Sequence, residues 1–271
     1  MVRQQRGPVT MREDFLRHVT PVVLTKDEEA NIGRSLDRLQ WARRVVVLDS
    51  LSTDRTREIA ASFANVEIFE RPFDLHATQW NHALEQCGIE TDWVLALDAD
   101  YILTDALLDE IRTLTPPPDV VACEARFRYC IEGRPLRGSL YPPVRVLFRR
   151  ELGRFEQDGH THRLRIEGTV FPLRSRILHD DRKPLSRWLE SQHAYMAQEA
   201  AKLRSTRWRD LGWADRIRMT RILGPPAAFL VALFVKGAIL DGRAGLHYAL
   251  QRLVAEAILS MQLIEGDLRA R

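Results

Sequence analysis

Four short apolar runs in the first hundred residues constrain the fold more strongly than any other feature of this sequence. They cover residues 18–25, 45–48, 66–69 and 93–97, and apolar residues at helical spacing lie between them. Short apolar runs that alternate with amphipathic helices are typical of a parallel sheet covered on both faces. The sequence therefore predicts an α/β fold with a mostly parallel central sheet flanked by helices.

Polar residues follow each run at the point where the predicted strand ends. These polar groups lie at residues 25–28, at 49–54, at Arg71 and at 98–100. Because ligands of open α/β sheets bind at the carboxyl ends of the strands, the groups predict one ligand site at that edge. The sequence has neither a Gly-x-Gly-x-x-Gly turn nor a Walker loop, which argues against the best-known dinucleotide and P-loop sites.

Asp98 and Asp100 are spaced i, i+2, so their side chains project to the same side of an extended strand. Mg²⁺ and Mn²⁺ prefer oxygen ligands, and Mg²⁺ usually takes one or two carboxylates together with substrate phosphates. Acids after the first two strands suit a ribose or a base, while Arg71 or His76 suits phosphate oxygens. These groups indicate a nucleotide-sugar site. The competing interpretation of the Asp98 and Asp100 pair is that Asp-x-Asp is common by chance and that Asp often caps the helix after a strand, which Thr104 and Asp105 could start here.

Four segments, in order, resemble the successive motifs of inverting family 2 glycosyltransferases with the GT-A fold. They read VVLTKDEEANI at 22–32, LDSLSTDRT at 48–56, QWNHAL at 79–84 and LDAD at 97–100. The resemblance implies a nucleotide-sugar site formed by Thr25, Glu28, Asp49, Asp54, Arg71, Gln79, Asn81 and Asp98.

The same resemblance identifies Asp98 and Asp100 as the Asp-x-Asp motif, which implies Mg²⁺ or Mn²⁺ as the cofactor. Relatives often read Asp-Ala-Asp-Glu at this point, whereas Tyr101 stands here. A role for a third acid at that position is therefore not carried over.

Residues 154–164 are rich in groups that can move a proton. An inverting transfer to a hydroxyl needs a base near the acceptor. Asp158 is the first candidate for this base, followed by His160 and then by Glu156. Many small relatives have a His-Glu pair near this point, but His160 precedes a threonine. The alternative is a salt-bridged acidic loop beside Arg154 and Arg163.

Residues 178–189 resemble a segment of the lipopolysaccharide-core glucosyltransferase branch. One interpretation makes His179 a further metal ligand and places Asp180, as a catalytic residue, near the sugar or the acceptor. The other is structural: the acids complement the dipole of a helix whose first turn contains Pro184.

Seven basic residues and two acids lie between residues 202 and 221, and the uncharged run 222–235 follows. Fourteen residues are too few for a spanning helix, which needs about 20. Basic groups beside a short apolar segment suit an interfacial anchor on an anionic membrane surface, and no motif for nucleic-acid binding accompanies them. The alternative is a buried hairpin. A further apolar helical face over 246–261 packs on the protein or on a second subunit, which would give a homo-oligomer.

The predicted organisation is a GT-A domain at 18–200 followed by a helical membrane-associating extension at 201–271. Within the domain, 18–115 is the nucleotide-binding half and 116–200 the acceptor-side half. A hydrophobic fraction of 45% and a charged fraction of 28% are ordinary for a folded protein. Three cysteines without a CxxC pair suggest reduced thiols. The charged segment 1–17, expected to be loose, lacks the apolar core of a secretory signal.

These features predict a cytoplasmic enzyme, peripheral on the inner face of the cytoplasmic membrane. It would move a sugar, with glucose as the first choice, from a UDP-sugar to a hydroxyl of an envelope glycolipid such as lipopolysaccharide core. One alternative is a polyprenyl-phosphate glycosyltransferase of the same fold. The other is an inactive nucleotide-sugar-binding scaffold.

Overall fold

The structure, a computed structural model, describes residues 14–159 and 161–269. Strands and helices alternate through the first hundred residues, as the apolar pattern predicts. The elements are β1 (Val19–Thr25), α1 (Ile32–Asp37), β2 (Val45–Asp49), α2 (Thr56–Ala61), β3 (Val66–Glu70), α3 (His76–Gln86) and β4 (Trp93–Asp98). The four strands pair in parallel in the order β3-β2-β1-β4. The predicted α/β class is confirmed.

The later strands complete the sheet and add a small hairpin. The elements are β5 (Tyr101–Ile102), α4 (Asp105–Arg112), β6 (Val120–Ile131), β7 (Arg134–Pro135), β8 (Val144–Arg149), β9 (Arg154–Asp158), β10 (Thr161–Arg165) and β11 (Thr169–His179). The sheet continues from β4 through β8, β6 and β11 to β5, whereas β9 and β10 pair only with each other. Strand β8 is antiparallel to both neighbours, and β6 is parallel to β11.

The sheet curls so that the end of β4 reaches its far edge. Only Ala99 and Asp100 separate β4 from β5, yet β5 pairs with β11 at the opposite end of the strand order. Tyr101 is the register partner of His179 in this pairing. The curl therefore brings the Asp-x-Asp segment next to the end of β11.

Both faces of the parallel strands are covered, which explains their continuous apolar runs. In β2, Val45 and Val47 pack into one hydrophobic cluster, while Val46 and Leu48 pack into the other. The expectation of a loose segment 1–17 is wrong where the structure describes it. Residues 15–18 form a 3₁₀ turn in which Phe15 is buried edge-on against Trp93, with ring centroids 5.4 Å apart. Residues 1–13 lie outside the described part of the chain.

The end of the chain is helical, as predicted. The helices are α5 (Leu185–Ser205), α6 (Trp213–Arg218), α7 (Gly224–Leu230) and α8 (Gly242–Arg269). Helix α8 packs on α5 and α7 and reaches β6. Helix α5 runs through the predicted boundary at residue 200, and the division into domains stays a prediction. In the described ranges, every helix is too short or too polar to cross a membrane.

Candidate active site

The loops after β1 and β2 are tied together by the acids that the sequence assigns to nucleotide binding. The Thr25 hydroxyl donates to Asp49 Oδ1 at 2.9 Å, and the Ser52 amide donates to Asp49 Oδ2 at 2.7 Å. Asp54 Oδ2 accepts from the Glu29 amide at 3.0 Å. Asp49 and Asp54 therefore fix the shape of these two loops, and their contact with a nucleotide stays a prediction.

Two residues in these facing loops have an uncommon backbone conformation. Asp27 and Leu51 have φ values of 52° and 61°, in the left-handed region that non-glycine residues seldom adopt. Strained residues of this kind cluster at ligand sites, where surrounding contacts hold them in place. The Asp27 amide, for example, donates to Ser52 Oγ at 2.8 Å.

Glu28 links the β1 loop to the segment after β11. Its carboxylate accepts from Lys183 Nζ at 2.6 Å and from Asn31 Nδ2 at 2.8 Å. Burial, together with the charge of Asp100, raises the pKa of Glu28 to about 7 despite the opposing charge of Lys183. Lys183 is thus a cation at the predicted leaving-group site. Lys183 lies in the segment 178–189, but the sequence of that segment did not indicate a cation at the leaving-group site.

Asp100 and His179 meet as the curl of the sheet requires. His179 Nε2 lies 3.0 Å from Asp100 Oδ2, and each side chain is 13% exposed. Burial alone would raise the pKa of Asp100, but the facing imidazole lowers it below its usual value. Burial raises the pKa of Asp98 to about 6, and the charge of Asp100 adds to the rise.

The donor set at the end of β4 fits a metal that takes most of its ligands from substrate and water. Asp100 Oδ1 is buried without a hydrogen-bond partner, and so is His179 Nδ1. Over residues 14–159 and 161–269, no three His, Cys, Asp or Glu side chains converge into a ready-made cage. Two carboxylates with an uncompensated oxygen suit Mg²⁺ or Mn²⁺ on a diphosphate. The ligand set of Asp98, Asp100 and His179 stays a proposal.

Three tyrosine rings surround the His179 imidazole. Tyr129, Tyr141 and Tyr101 have ring centroids 4.7, 4.6 and 5.4 Å from it. The Tyr101 hydroxyl hydrogen-bonds to Tyr141 and also to Asp98, whose pKa this bond lowers. Tyr101 thus holds the first acid of the motif at the position where relatives carry a third acid. Tyr129 and Tyr141 lie outside every motif and were not predicted.

Arg71, Gln79 and Asn81 have different surroundings. Arg71 binds both oxygens of Asp74 at 2.8 Å and Gln79 Oε1 at 3.0 Å. Gln79 Nε2 donates to Ser50 Oγ at 2.9 Å, which places Gln79 beside the β2 loop. Both ends of the Asn81 amide instead bind the backbone of Phe155, so Asn81 joins α3 to β9.

The first candidate base is neutralised by two cations. Asp158 Oδ1 lies 2.7 Å from Lys202 Nζ, and its other oxygen pairs with Arg163. Burial would raise the pKa of Asp158, but these two charges lower it. Glu156 pairs with Arg165 at 2.7 Å. The structure thus shows the salt-bridged loop, with partly different partners from those expected, and His160 lies outside the described residues.

Asp180 is a structural junction. Its Oδ1 accepts from the Gly133 amide at 2.9 Å, and its Oδ2 accepts from Arg34 at 2.7 Å and from Arg182 at 3.0 Å. Burial would raise its pKa, but the hydrogen bond from Arg182 and the other partners lower it. Asp180 therefore holds together α1, the β6–β7 turn and the segment after β11, and its catalytic role stays a prediction.

Comparison with known proteins decides the family. The sequence model described as Glycosyl transferase family 2 matches residues 21–172, more than half of the chain. The chain belongs to glycosyl transferase family 2. In this glycosyltransferase the match includes all the loops at the carboxyl edge of β1 to β4 and ends before His179 and Lys183.

Two curated relatives of this family 2 glycosyltransferase align over part of their length. Lipopolysaccharide core biosynthesis glycosyltransferase LpsC of Rhizobium meliloti is 28% identical over 52% of this chain and 54% of its own. An uncharacterised glycosyltransferase of Rickettsia bellii is 34% identical over 37% of this chain and 34% of its own. The chain thus spans about half or less of the length of these relatives.

Solved structures align over more of the glycosyltransferase. The crystal structure of S. aureus TarS 1–349 in complex with UDP covers 93% of this chain and 91% of its own, with 15% identity and a TM-score of 0.42. Mannosyl-3-phosphoglycerate synthase from Rubrobacter xylanophilus covers 71% of this chain and 78% of its own, with 16% identity and a TM-score of 0.45.

Proposed function

We propose that this glycosyltransferase moves a sugar, with glucose as the first choice, from a UDP-sugar to a hydroxyl of an envelope glycolipid, with inversion. The observation that carries the proposal is the Asp98 and Asp100 pair at the carboxyl edge of the parallel strands, where Asp100 Oδ1 is buried without a hydrogen-bond partner. The Rhizobium meliloti relative named for lipopolysaccharide core biosynthesis supports the class of acceptor.

The residues divide into two roles on the donor side. Asp98, Asp100 and His179 would hold Mg²⁺ or Mn²⁺, which supplies positive charge to the leaving diphosphate when bound. The loops braced by Asp49 and Asp54 would hold the nucleoside, as the family resemblance implies, with Thr25, Glu28, Arg71 and Gln79 at the same edge. Lys183 would stabilise charge on the leaving group, since it lies beside Glu28 and close to Asp100.

A second acceptor class, a polyprenyl phosphate, is favoured by the ion pairs of Asp158. A carboxylate bound by Lys202 and Arg163 is a weak base, and an attacking phosphate needs no strong base. The variant Asp158→Asn distinguishes the two acceptors. A hydroxyl acceptor predicts a loss of transfer of at least about 100-fold, and a phosphate acceptor predicts less than about tenfold.

We infer that the extension rests on the inner face of the cytoplasmic membrane. Nine large apolar side chains around α6, α7 and the start of α8 are at least 50% exposed: Trp208, Trp213, Ile222, Leu223, Leu230, Phe234, Val235, Ile239 and Leu240. Ala232 in the same run is fully buried, so one side packs on the protein and the other is exposed. An exposed apolar surface of this extent marks an interaction site.

The charge of the extension is smaller than the sequence suggests. Of its seven basic residues, Lys202, Arg204, Arg218 and Arg221 bind groups of the protein itself. Arg207, Arg209 and Arg216 are exposed, and of these Arg209 lies 3.9 Å from Asp210 and Arg216 donates to the Arg209 carbonyl at 3.2 Å. These three exposed cations would meet anionic lipid. Sedimentation with anionic and with uncharged vesicles tests the placement. The double change Phe234→Ser and Val235→Ser should weaken binding to both.

The decisive experiment for the donor site is calorimetric titration of UDP with Mn²⁺ and then with a chelator. Wild type should bind UDP in a metal-dependent way, and Asp100→Asn should lose that dependence. The exposed Asp109 provides the matched control, since Asp109→Asn leaves the site untouched. Absence of UDP binding in wild type would refute the proposal, and binding without transfer over a broad acceptor panel would indicate the scaffold.

A further inference from the structure

The inner face of helix α8 contains a polar interruption. Tyr248 and Ala249 pack into a hydrophobic cluster with the β6–β7 turn, and Leu259 and Leu263 pack into another with α5. Gln251 and Arg252 lie between these two clusters. Gln251 Oε1 and Arg252 Nε are both buried without a hydrogen-bond partner.

Arg252 differs from the other arginines that the extension turns toward the protein. Arg218 binds Glu256 at 2.7 Å, and Arg221 binds Asp267 at 2.8 Å. Within the described ranges Arg252 has neither a carboxylate partner nor a hydrogen bond, and its guanidinium carbon lies 5.7 Å from the centre of the Tyr248 ring. Arg252 as a whole is half-buried, but its buried Nε without a partner costs free energy, so its position favours an anionic ligand.

A short series of contacts connects Arg252 to the reaction centre. The Tyr248 ring lies 5.0 Å from the Tyr129 ring, which lies 4.7 Å from His179. Arg252 and Tyr129 thus both lie against the Tyr248 ring. Two aromatic rings, those of Tyr248 and Tyr129, therefore connect Arg252 to His179.

The surroundings of α8 point to the acceptor rather than to the donor. Helix α8 packs mainly on α7, α5 and residues 231–241, whereas the predicted donor residues lie on the β1 to β4 loops and on α3. The donor side has its own cation in Lys183, already paired with Glu28 at 2.6 Å.

We propose that the Arg252 guanidinium binds an anionic oxygen group of the acceptor, with phosphate as its simplest representative, and so makes α8 part of the acceptor site. This inference rests on the proposed function, because it assigns a substrate group to the same reaction centre. A planar guanidinium matches phosphate oxygens with two parallel hydrogen bonds.

The test uses the full chain with saturating UDP and Mn²⁺, so that the donor site is filled, and titrates octyl phosphate by calorimetry. Two compounds serve as controls. Octyl glucoside has the octyl group without the charge, and inorganic phosphate has the charge without the octyl group. Octyl phosphate should bind at least about tenfold more tightly than either, and Arg252→Gln should weaken it by about 10- to 100-fold. Equal affinity for inorganic phosphate would overturn the acceptor assignment, because the site would then bind a free ion.

Arg243→Gln is the matched control, since it makes the same change on the exposed face of the same helix. It should leave octyl phosphate binding unchanged, and an equal loss in both variants would show a general charge effect and overturn the proposal. A parallel loss of UDP affinity in Arg252→Gln would assign the guanidinium to the donor and overturn it as well.

Arg252→Lys covers the case in which Arg252→Gln fails to fold. Lysine keeps the charge but not the planar fork, so a loss of at least about threefold supports the proposal and unchanged binding refutes it. The outcomes also separate the two levels of inference. Wild type that fails to bind UDP refutes the proposed function, whereas octyl phosphate binding that ignores Arg252, beside normal UDP binding, refutes only this inference.

Discussion

The carboxylates at the end of β4 and those of the later half of the chain differ in what surrounds them. Asp100 faces one imidazole and keeps a buried oxygen without a partner, whereas Asp158 and Asp180 are each bound by two cations. A carboxylate whose negative charge is only partly balanced by neighbouring groups can bind a cation from outside the chain. Full compensation instead joins segments that are far apart in sequence, as Asp180 does for Arg34.

The pKa of Asp98 differs from those of the later acids in the same sense, although His179 lowers the pKa of Asp100. Burial raises the pKa of Asp98 to about 6, and neighbouring cations lower the pKa values of Asp158 and Asp180. An acid whose charged form is disfavoured gains most from a bound metal, and an acid already paired gains little. The contrast teaches that the partners of an acid, rather than its presence in a motif, distinguish a ligand site from a structural junction.

The largest effect should come from Asp100→Asn. Transfer and Mn²⁺-dependent UDP binding should fall by at least about 100-fold, since the change removes charge from the metal site. Thermal unfolding should stay close to wild type, because the asparagine amide oxygen can still accept a hydrogen bond from His179 Nε2. If Asp100→Asn kept its activity in steady-state assays, the acids at the end of β4 would not differ in function from Asp158 and Asp180.

Asp180→Asn should give the opposite pattern. The free energy of unfolding should fall by about 2 kcal/mol, since Arg34 and Arg182 lose a charged partner, with the partial exposure of Arg182 reducing the cost. Urea unfolding measures this loss. UDP affinity should remain within about threefold of wild type, and a selective loss of transfer without destabilisation would instead restore Asp180 as a catalytic residue.

UDP binding in the presence of Mn²⁺ should weaken in acid. A metal ligand must be deprotonated, so lowering the pH from 7.5 to 5 should reduce affinity by about tenfold as Asp98 takes up a proton near its raised pKa of about 6. Calorimetry across this range measures the slope. Asp98→Asn should flatten it, whereas Asp158→Asn should leave the slope intact.

The smallest effect should be an opposite response of stability to pH in the two regions. Asp98 has a raised pKa, so its stabilising contribution is complete below about pH 4 and is lost as the pH rises through about 6. His162, in the hairpin that carries Asp158, has a pKa that burial lowers to about 3, so its contribution is complete above about pH 6.5 and is lost in acid.

Denaturation midpoints between pH 8 and 5 distinguish these contributions. Asp98→Asn should make the protein comparatively less stable at pH 5, and His162→Phe should make it comparatively more stable there. Parallel shifts in both variants would show that the two regions do not differ in this respect.

The donor edge was predictable because parallel strands bring their carboxyl ends together whatever their loops contain. The ends of β1, β2 and β4 could therefore be placed side by side from the apolar runs alone. Asp158 and Asp180 could not be assigned in this way, because their partners lie up to 146 residues away. The spacing of residues within a short segment does not indicate ion pairs between segments that are far apart in the sequence. Phe15 was missed for the same reason, since its packing on Trp93 is invisible in a charged segment.

The two-residue step from β4 to β5 also orders events during protein synthesis. His179 stands beside Tyr101 in the sheet, so the proposed metal site needs strands separated by almost eighty residues. When only the β1 to β4 half of a nascent chain has left the ribosome, the parallel core can form. The His179 imidazole that pairs with Asp100 is then still missing. Such pairings between distant segments form slowly, and domains fold as units once their sequence is available. During synthesis the parallel β1 to β4 half is therefore complete before His179, a ligand of the proposed metal site, has been added.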